Sequence, residues 1–404
     1  MIEKLFIITA LMGLIMAVMN VTGANIYDLR QARKQRQFSR NPHARRYRHR
    51  PLISVMVLSR NSEPVIEQCL RSLVKSTYQK LEIIIVDNAS RDGSSKLVKK
   101  FMLDHPKKTI KLFAKRMPSS DASAIAAGYK RYGQGELILV CQAGQMFDKR
   151  ALSQALRHFN SEHNIASLSF NQRVASKYQT VGVFQKYENL LRNRAKKFSS
   201  VTNSGYTSHG DVIVYRREVF TSLFKLTKKV YTYNNFANNS ATQFGNKKMR
   251  AYYASDAIVY TQPISSFTAL WKQRYHLQLG RLQSLYSLRK LFFSRNPNYT
   301  KFFTWFYLPF AVGTGLVAVC VPILLTYFVY LTIELHEPTL LLSGWIVLGL
   351  FLLFAVWGDE HFRLRQKIAY SLCIPITYSL FYILSFVQIF VILRACLPRT
   401  RQKV

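Results

Sequence analysis

Four stretches of the chain run without a charged side chain for longer than a membrane-crossing helix requires. Between Lys4 and Asp28 lie 23 such residues, between Lys301 and Glu334 there are 32, between Glu337 and Asp359 there are 21, and between Lys367 and Arg394 there are 26. About 20 apolar residues in a helix cross roughly 30 Å of hydrocarbon, so each stretch is predicted to span. The first has the length of a cleaved signal peptide as well. It lacks a basic region beyond Lys4 and leads into a dense basic run, which fits an uncleaved anchor better. The nine Lys and Arg from Asp28 to Arg50 predict that this end of the first span faces the cytoplasm, and the middle of the chain with it. The link from Glu334 to Glu337 then falls outside, and the basic link at Arg363, Arg365 and Lys367 falls inside. The basic tail Arg399, Arg401, Lys403 would end outside, against the rule, unless the last span is re-entrant or broken at Pro375.

In the middle the pattern changes to short apolar runs alternating with helical periodicity. Ile53 to Leu58 reads as a buried strand, and Pro64 to Ser76 as a helix through Val65, Ile66, Cys69, Leu70 and Leu73. Leu81 to Val86 is a second strand, closed by the polar turn Asp87 to Ser94 that opens another helix near Lys96. These lengths predict a βαβ unit with a parallel sheet, whose ligand sits beyond the carboxyl ends of the strands. Ser59 to Asn61 and the turn that opens with Asp87 and Asn88 fall at that edge. Gly135 to Cys141 reads as another buried strand, with Asp148 placed to cap a helix from Lys149 to Phe159.

Charge and composition narrow the class. With 57 Lys and Arg against 20 Asp and Glu, a net charge of +37, and 49% hydrophobic residues, the chain does not read as an ordinary soluble enzyme. A basic surface on the cytoplasmic side of a membrane fits both numbers. A membrane-anchored binder of nucleic acid or of an anionic polymer would share the charge, but no RNA-binding motif is present and the aromatics are dispersed, so nucleic acid is not an expected partner. The five cysteines (Cys69, Cys141, Cys320, Cys373, Cys396) have no metal or disulfide spacing and read as free thiols. From Ile264 to Ser294, apolar residues such as Phe267, Leu270 and Trp271 alternate with Lys272, Arg274 and Arg281, a basic amphipathic stretch expected in the headgroup plane, against the soluble domain, or both. Tyr, Thr, Ser and Gln388 in the spans suit a carbohydrate path and plain helix packing equally.

The run SVMVLSRNSEPVIEQCLRSLVKSTYQKLEIIIVDNASRDGS resembles the nucleotide-binding start of family 2 glycosyltransferases. GELILVCQAGQMFDKRAL resembles the family's strand, acidic metal motif and following helix. HGDVIVYRREVF resembles its acceptor-side strand with paired arginines, and SFTALWKQRYHLQLGR its interfacial helix with a Gln-Arg-x-Arg-Trp motif. The similarity covers about residues 51 to 285, and the arrangement resembles the processive synthases of cellulose, chitin, hyaluronan and poly-N-acetylglucosamine. It implies an α/β glycosyltransferase A-type cytoplasmic domain, mainly a parallel sheet, plus an α-helical transmembrane bundle in the plasma membrane. The expected division is an anchor at 1–27, a basic, solvated, lipid-facing linker at 28–50, the transferase-like domain at 51–263, interfacial helices at 264–300, and three spans in 301–404.

The resemblance also shows what is missing. Its Asp-x-Asp falls on Gln142, Ala143 and Gly144, with no acid anywhere in 137–147; its acceptor-side acidic pair falls near Asn238 and Asn239, with no acid in 219–255. An amide holds Mg²⁺ or Mn²⁺ poorly, and Asn cannot take a proton. Gln273 and Arg274 match the third motif, but Tyr275, His276 and Leu277 replace its remainder; His276 approaches a phosphate only if protonated. Ser120 to Gly128 resembles the Gly-Lys-rich helix start without its Gly, Lys and Asn. Replacement cations or a base would have to come from Lys115, Arg116, Arg216, Arg217, His209 or Asp211, each of which also has an ordinary structural role. The expected nucleotide-binding residues are Ser59, Asn61, Asp87 and Asn88, and those on the acceptor and diphosphate side are Gln273, Arg274 and His276. A UDP-sugar is the candidate ligand and divalent metal is not expected. The resemblance thus implies a membrane-embedded, catalytically degenerate partner or scaffold of an active synthase, or an active divergent transferase that polymerises or uses a lipid-linked acceptor. The bilayer, a polysaccharide-synthesis complex, and a polysaccharide or lipid-linked sugar are the expected partners.

Overall fold

The computed structural model describes residues 2–40, 50–162, 164–175, 180–202, 212–226, 249–264, 266–275, 278, 289–296, 301–336, 339, 349–350 and 352–396. Strands β1 (Ile53–Ser59), β2 (Leu81–Asp87), β3 (Thr109–Ala114) and β4 (Leu137–Gln142) form a parallel half-sheet in the order β3-β2-β1-β4. Every residue of β1 is buried, which explains a strand sequence of continuous rather than alternating apolar residues. The connecting helices are α2 (Glu63–Val74), α3 (Ser94–Asp104) and α4 (Asp121–Tyr132). In α2 the buried residues Ile66, Cys69, Leu70 and Leu73 recur at helical spacing, and Pro64 opens the first turn.

Beyond β4 the sheet becomes mixed. β7 (Ile213–Arg216) runs antiparallel to β4, β6 (Ile165–Val174) antiparallel to β7, β8 (Arg250–Thr261) parallel to β6, and the short β5 (Gln145–Phe147) antiparallel to β8. Helix α5 (Ala151–Ser161) follows β5, and α7 (Arg217–Leu226) follows β7. The expected cap for α5 is shifted: Asp148, three residues before Ala151, accepts from Arg150 N at 2.9 Å, and its carbonyl takes Ala151 N. A buried carboxylate fixes the start of β4. Glu82 accepts from Ser54 Oγ, from Gln134 N at 2.5 Å and from Gly135 N at 3.0 Å, with Lys111 Nζ at 3.5 Å. Gly135 is required there, because a Cβ would stand 2.4 Å from Ser54 N.

Helix α6 (Thr180–Thr202) joins the sheet to everything else. The N-terminal helix α1 (Ile2–Arg40) passes the boundary expected at residue 27 and packs against it. Tyr27 is buried and donates to Tyr253 O at 2.6 Å, Asp28 accepts from Lys197 Nζ at 2.6 Å, Gln31 donates to Tyr252 Oη, and Lys34 pairs with Glu162. Residues 24, 27, 28, 31 and 34 share one helix face. The described part of the segment expected to be a solvated linker is therefore docked through this face, while residues 41–49 lie outside the described residues.

On its other side α6 meets helix α8 (267–275), where Leu270 packs with Phe184, and with Leu384 and Val387 of α11 (Ile374–Cys396). Arg274 of α8 reaches both carboxylate oxygens of Glu188, and burial pushes the Arg274 guanidinium down to about 10. Arg173 near the end of β6 donates to both oxygens of Asp359, at 2.8 and 2.7 Å, ahead of α10 (Leu364–Leu372). Helix α9 (Leu308–Glu334) follows a π-helical turn at Phe302–Tyr307. Among the described residues no helix is long and apolar enough to cross a membrane. Thirteen of the 27 side chains of α9, and residues 338, 340–348 and 351 of the third expected span, lie outside the described set.

Breaking a buried pair leaves a charge without compensation, at a cost of about 3 kcal/mol. Glu188→Ala should therefore lower the thermal midpoint of the full chain in detergent clearly, and Glu188→Met with Arg274→Met should recover part of the loss. Additive losses in the double variant would show that the two side chains are not coupled. Asp256 gives a pH test. Burial opposes its ionisation, but the hydrogen bond and charge of His158 and the charge of Arg157 overcome this and hold its carboxyl at about 2. A depressed carboxyl stabilises above the unfolded value, near 3.9, and the contribution is lost as pH falls from about 4 towards about 2. Asp256→Asn should be less stable than wild type at pH 6, with the gap closing below pH 4 in denaturant titrations; a gap independent of pH would contradict the assignment.

Candidate functional site

The register of the parallel strands sets the site. Ser59 pairs with Asp87, Asp87 with Ala114, and Leu58 with Gln142, so Ser59, Asp87 and Gln142 end neighbouring strands at one edge. Asp87 is 4% exposed. Its Oδ1 accepts from Ser90 N at 3.1 Å and Ser90 Oγ at 2.5 Å, and its Oδ2 from Ser95 Oγ. A carboxylate offers about four acceptor positions, so one remains for a ligand donor. Asn88 is fully buried: its N bonds Ser59 O at 2.9 Å, its Nδ2 donates to Ser119 O at 2.7 Å, and its Oδ1 accepts from Ser119 N at 2.9 Å.

The loops above this edge are bound to each other. Asn61 accepts from Arg91 N at 2.9 Å, Asp92 Oδ2 from Glu63 N at 3.0 Å, and Glu63 from Gly93 N at 2.7 Å. Asn61 and Ala89 hold φ of 50° and 59°, left-handed values uncommon for such residues, which persist where surrounding contacts over-determine them. Ser59 Oγ is buried with no partner among the described residues. The result is a rigid polar cradle that contains all four residues expected to bind nucleotide.

Two further residues join it: Asp121, which motif reading did not single out, and Lys115, one of the candidate cations. Asp121, in the first turn of α4, hydrogen-bonds Asn88; burial pushes its carboxyl up, opposed by the charge of Arg60 and by that bond. The available signal was an acid immediately after the Ser120 cap. Lys115, whose N bonds Asp87 O at 2.9 Å, donates from Nζ to Ser119 Oγ at 2.5 Å, which leaves a cation beside the cradle; Arg116 is exposed.

The other expected groups are not brought here. Arg216 Nε donates to Ile165 O at 2.7 Å and Arg217 Nε to Gly135 O at 2.8 Å. Because β7 is antiparallel to β4, Arg216 pairs with Leu137, at the end of β4 opposite Gln142. Arg274 is held by Glu188, while Gln273 is exposed on the same helix. His209, Asp211, Asn238, Asn239 and His276 lie outside the described residues. Cys69 and Cys141 are free and buried, and burial pushes the Cys141 thiol well up.

At the end of β4 the turn Gln142 to Gln145 closes through Ala143 N to Leu58 O at 3.0 Å and Gln142 N to Gln145 Oε1 at 2.8 Å. No group of three or more His, Cys, Asp or Glu suited to a metal ion occurs among the described residues. The turn offers amides and no carboxylate, so it does not fit Mg²⁺ or Mn²⁺, which take oxygen ligands with at least one acid.

A parallel half-sheet extended by antiparallel strands, with a polar cradle at its carboxyl edge, defines a glycosyltransferase A-type fold. Residues 54–224 match the family Glycosyl transferase family 2, and the chain carries a domain of that family. A mannosyltransferase of Pyrobaculum calidifontis, solved with GDP-Man and Mn²⁺, is similar over 96% of this chain and 99% of its own at TM-score 0.54 and 15% identity, which supports the fold. Over 136 residues the chain is 24% identical to poly-β-1,6-N-acetyl-D-glucosamine synthase of Staphylococcus epidermidis, covering 34% of this chain and 32% of that protein. The chain thus matches about a third of the length of its curated relatives. The domain is related to polysaccharide synthases.

The turn can be refilled without strain. A Cβ at Gly144 would meet only Val65, at 3.9 Å, and the Gln142 side chain is exposed. The double variant Gln142→Asp, Gly144→Asp should fold with a change below about 1 kcal/mol and gain UDP-dependent retention of Mn²⁺ measured by equilibrium dialysis. A variant that folds but retains no more Mn²⁺ than wild type would show that more than this turn is missing.

Proposed function

We propose that the chain is a membrane-embedded glycosyltransferase-like protein of cell-envelope polysaccharide synthesis, with transfer lost or severely weakened, that acts as partner or scaffold of an active synthase. One observation carries the reading: a polar cradle forms around Asp87, while the adjoining turn at Gln142 has no carboxylate for a metal. Arg274, from the remnant of the diphosphate motif, is committed to Glu188. In this reading the remaining acceptor position of Asp87 holds the base of a UDP-sugar, with buried Asn88 fixing the loop beneath it, and no metal stands at the diphosphate.

Membrane embedding and a cytoplasmic transferase domain are part of the proposal. They are supported by the sequence, in which 302–333 and 368–393 each run for more than 20 residues without a charge, and by the basic link at Arg363, Arg365 and Lys367. Relatedness to a poly-N-acetylglucosamine synthase supports the polymer context. An active, divergent, metal-independent transferase is the second reading, favoured by Lys115, whose ammonium stands beside the cradle where a diphosphate charge would need compensation.

Calorimetric titration of the detergent-purified chain with UDP, with and without Mn²⁺, tests the proposal. The expected result is binding of equal strength in both conditions, lost in Asp87→Ala. Binding strengthened by Mn²⁺ would overturn it.

A further inference from the structure

Across helix α6 from Arg274, a cavity of about 320 Å³ lies between the ends of β6 and β8, α6 and the segment 361–370. Its volume is in the range of small-molecule sites. Helix α8 meets the face of α6 that carries Phe184 and Glu188, whereas Lys186, Asn189, Leu190 and Asn193 line the cavity. At about 3.6 residues per turn these two sets stand on opposite faces of the helix. The cavity is therefore a site apart from the helix that matched the diphosphate motif.

Much of the wall is already committed. Arg173 is neutralised by Asp359 at 2.7 Å, Lys186 Nζ donates to Tyr370 Oη at 2.6 Å, and Asn193 Nδ2 donates to Asn171 Oδ1 at 2.9 Å. The Phe362 ring stacks with Tyr370 at 5.0 Å and meets the Arg173 guanidinium at 5.6 Å. Three lining groups remain for a ligand. The Asn189 amide and the Tyr260 hydroxyl make no hydrogen bond among the described residues, and the buried Nε of Arg173 has no acceptor there. Buried donors of this kind are ordinarily satisfied. Tyr260 is 37% exposed, and strand register sets it beside Arg173. No Asp or Glu contributes to the wall. With Arg173 and Lys186 engaged, the cavity offers hydrogen bonds and ring contact rather than charge. An amide and a phenol each donate and accept, as a sugar hydroxyl does, and a tyrosine ring takes the apolar side of a pyranose. We propose that the cavity is a non-catalytic site for a neutral glycan chain, with one sugar ring against Tyr260 and its hydroxyls on Asn189 and Arg173 Nε. The proposal rests on the partner reading given above and names the polymer as what the partner holds.

The test is saturation-transfer NMR on the full chain in detergent, titrated with short oligosaccharides: two neutral ones, β-1,6-linked N-acetylglucosamine and β-1,4-linked glucose, and anionic hyaluronan. At least one neutral oligosaccharide should bind saturably. Asn189→Phe, which fills the cavity without removing a native bond, should raise its half-saturating concentration about tenfold; Tyr260→Ala should act likewise, and Lys99→Gln, exposed on α3, should match wild type. Thermal midpoints check that each variant folds. No saturable binding of either neutral oligosaccharide, equal half-saturation in Asn189→Phe, or tighter binding of hyaluronan that Asn189→Phe also weakens would each overturn the proposal. UDP separates the two readings. A wild-type chain that binds UDP but no neutral glycan refutes only the glycan site, whereas turnover of a UDP-sugar refutes the partner reading while glycan binding lost in Asn189→Phe still stands.

Discussion

Glu188 decides what the rest of the molecule can do. A carboxylate largely removed from water has to be paired, and in a chain of net charge +37 the cations to pair it are abundant while the acids are few. Glu188 takes Arg274, with Arg192 at 3.3 Å, and so ties α6 to α8. Asp28 with Lys197 ties α1 to α6, and Asp359 with Arg173 ties the segment before α10 to β6. Three of the scarce acids thus join the transferase sheet to the N-terminal helix and to the C-terminal helices. The arginine that a sugar-transferring relative would need near a diphosphate is part of this scaffold.

The geometry of the carboxyl edge of the parallel half-sheet comes from backbone register and buried strands. Ser59, Asp87 and Gln142 reach one edge whatever the chemistry of their side chains. The cradle on β1 and β2 is laced by polar side chains, whereas the turn after β4 holds amides and glycine and no carboxylate. Under the proposed function, this pairing is what binding without metal-assisted transfer requires.

Strands β1, β2 and β4, the first helices and the edge that carries Ser59, Asn61, Asp87 and Asn88 were legible in the sequence, because buried parallel strands write themselves as unbroken apolar runs; β5, β6 and β8 of the mixed half were not read. The docking of α1 was not: Asp28, Gln31 and Lys34 read as a solvated basic arm, and only the long-range partners Lys197, Tyr252 and Glu162 reveal a packed face. Arg216 and Arg217 looked available for a diphosphate, but the antiparallel direction of β7 places them at the far end of β4, a matter of topology that no local pattern records. Arg274 matched a motif while its partner Glu188 lay 86 residues away in sequence.

The central claim is that a sugar-transferase fold persists here without transfer. Release of UDP from radiolabelled UDP-sugars by the purified full chain, followed over many multiples of the protein concentration, measures it directly. The account predicts release indistinguishable from that in buffer, with or without Mn²⁺. Saturable release that disappears in Asp87→Ala would contradict it.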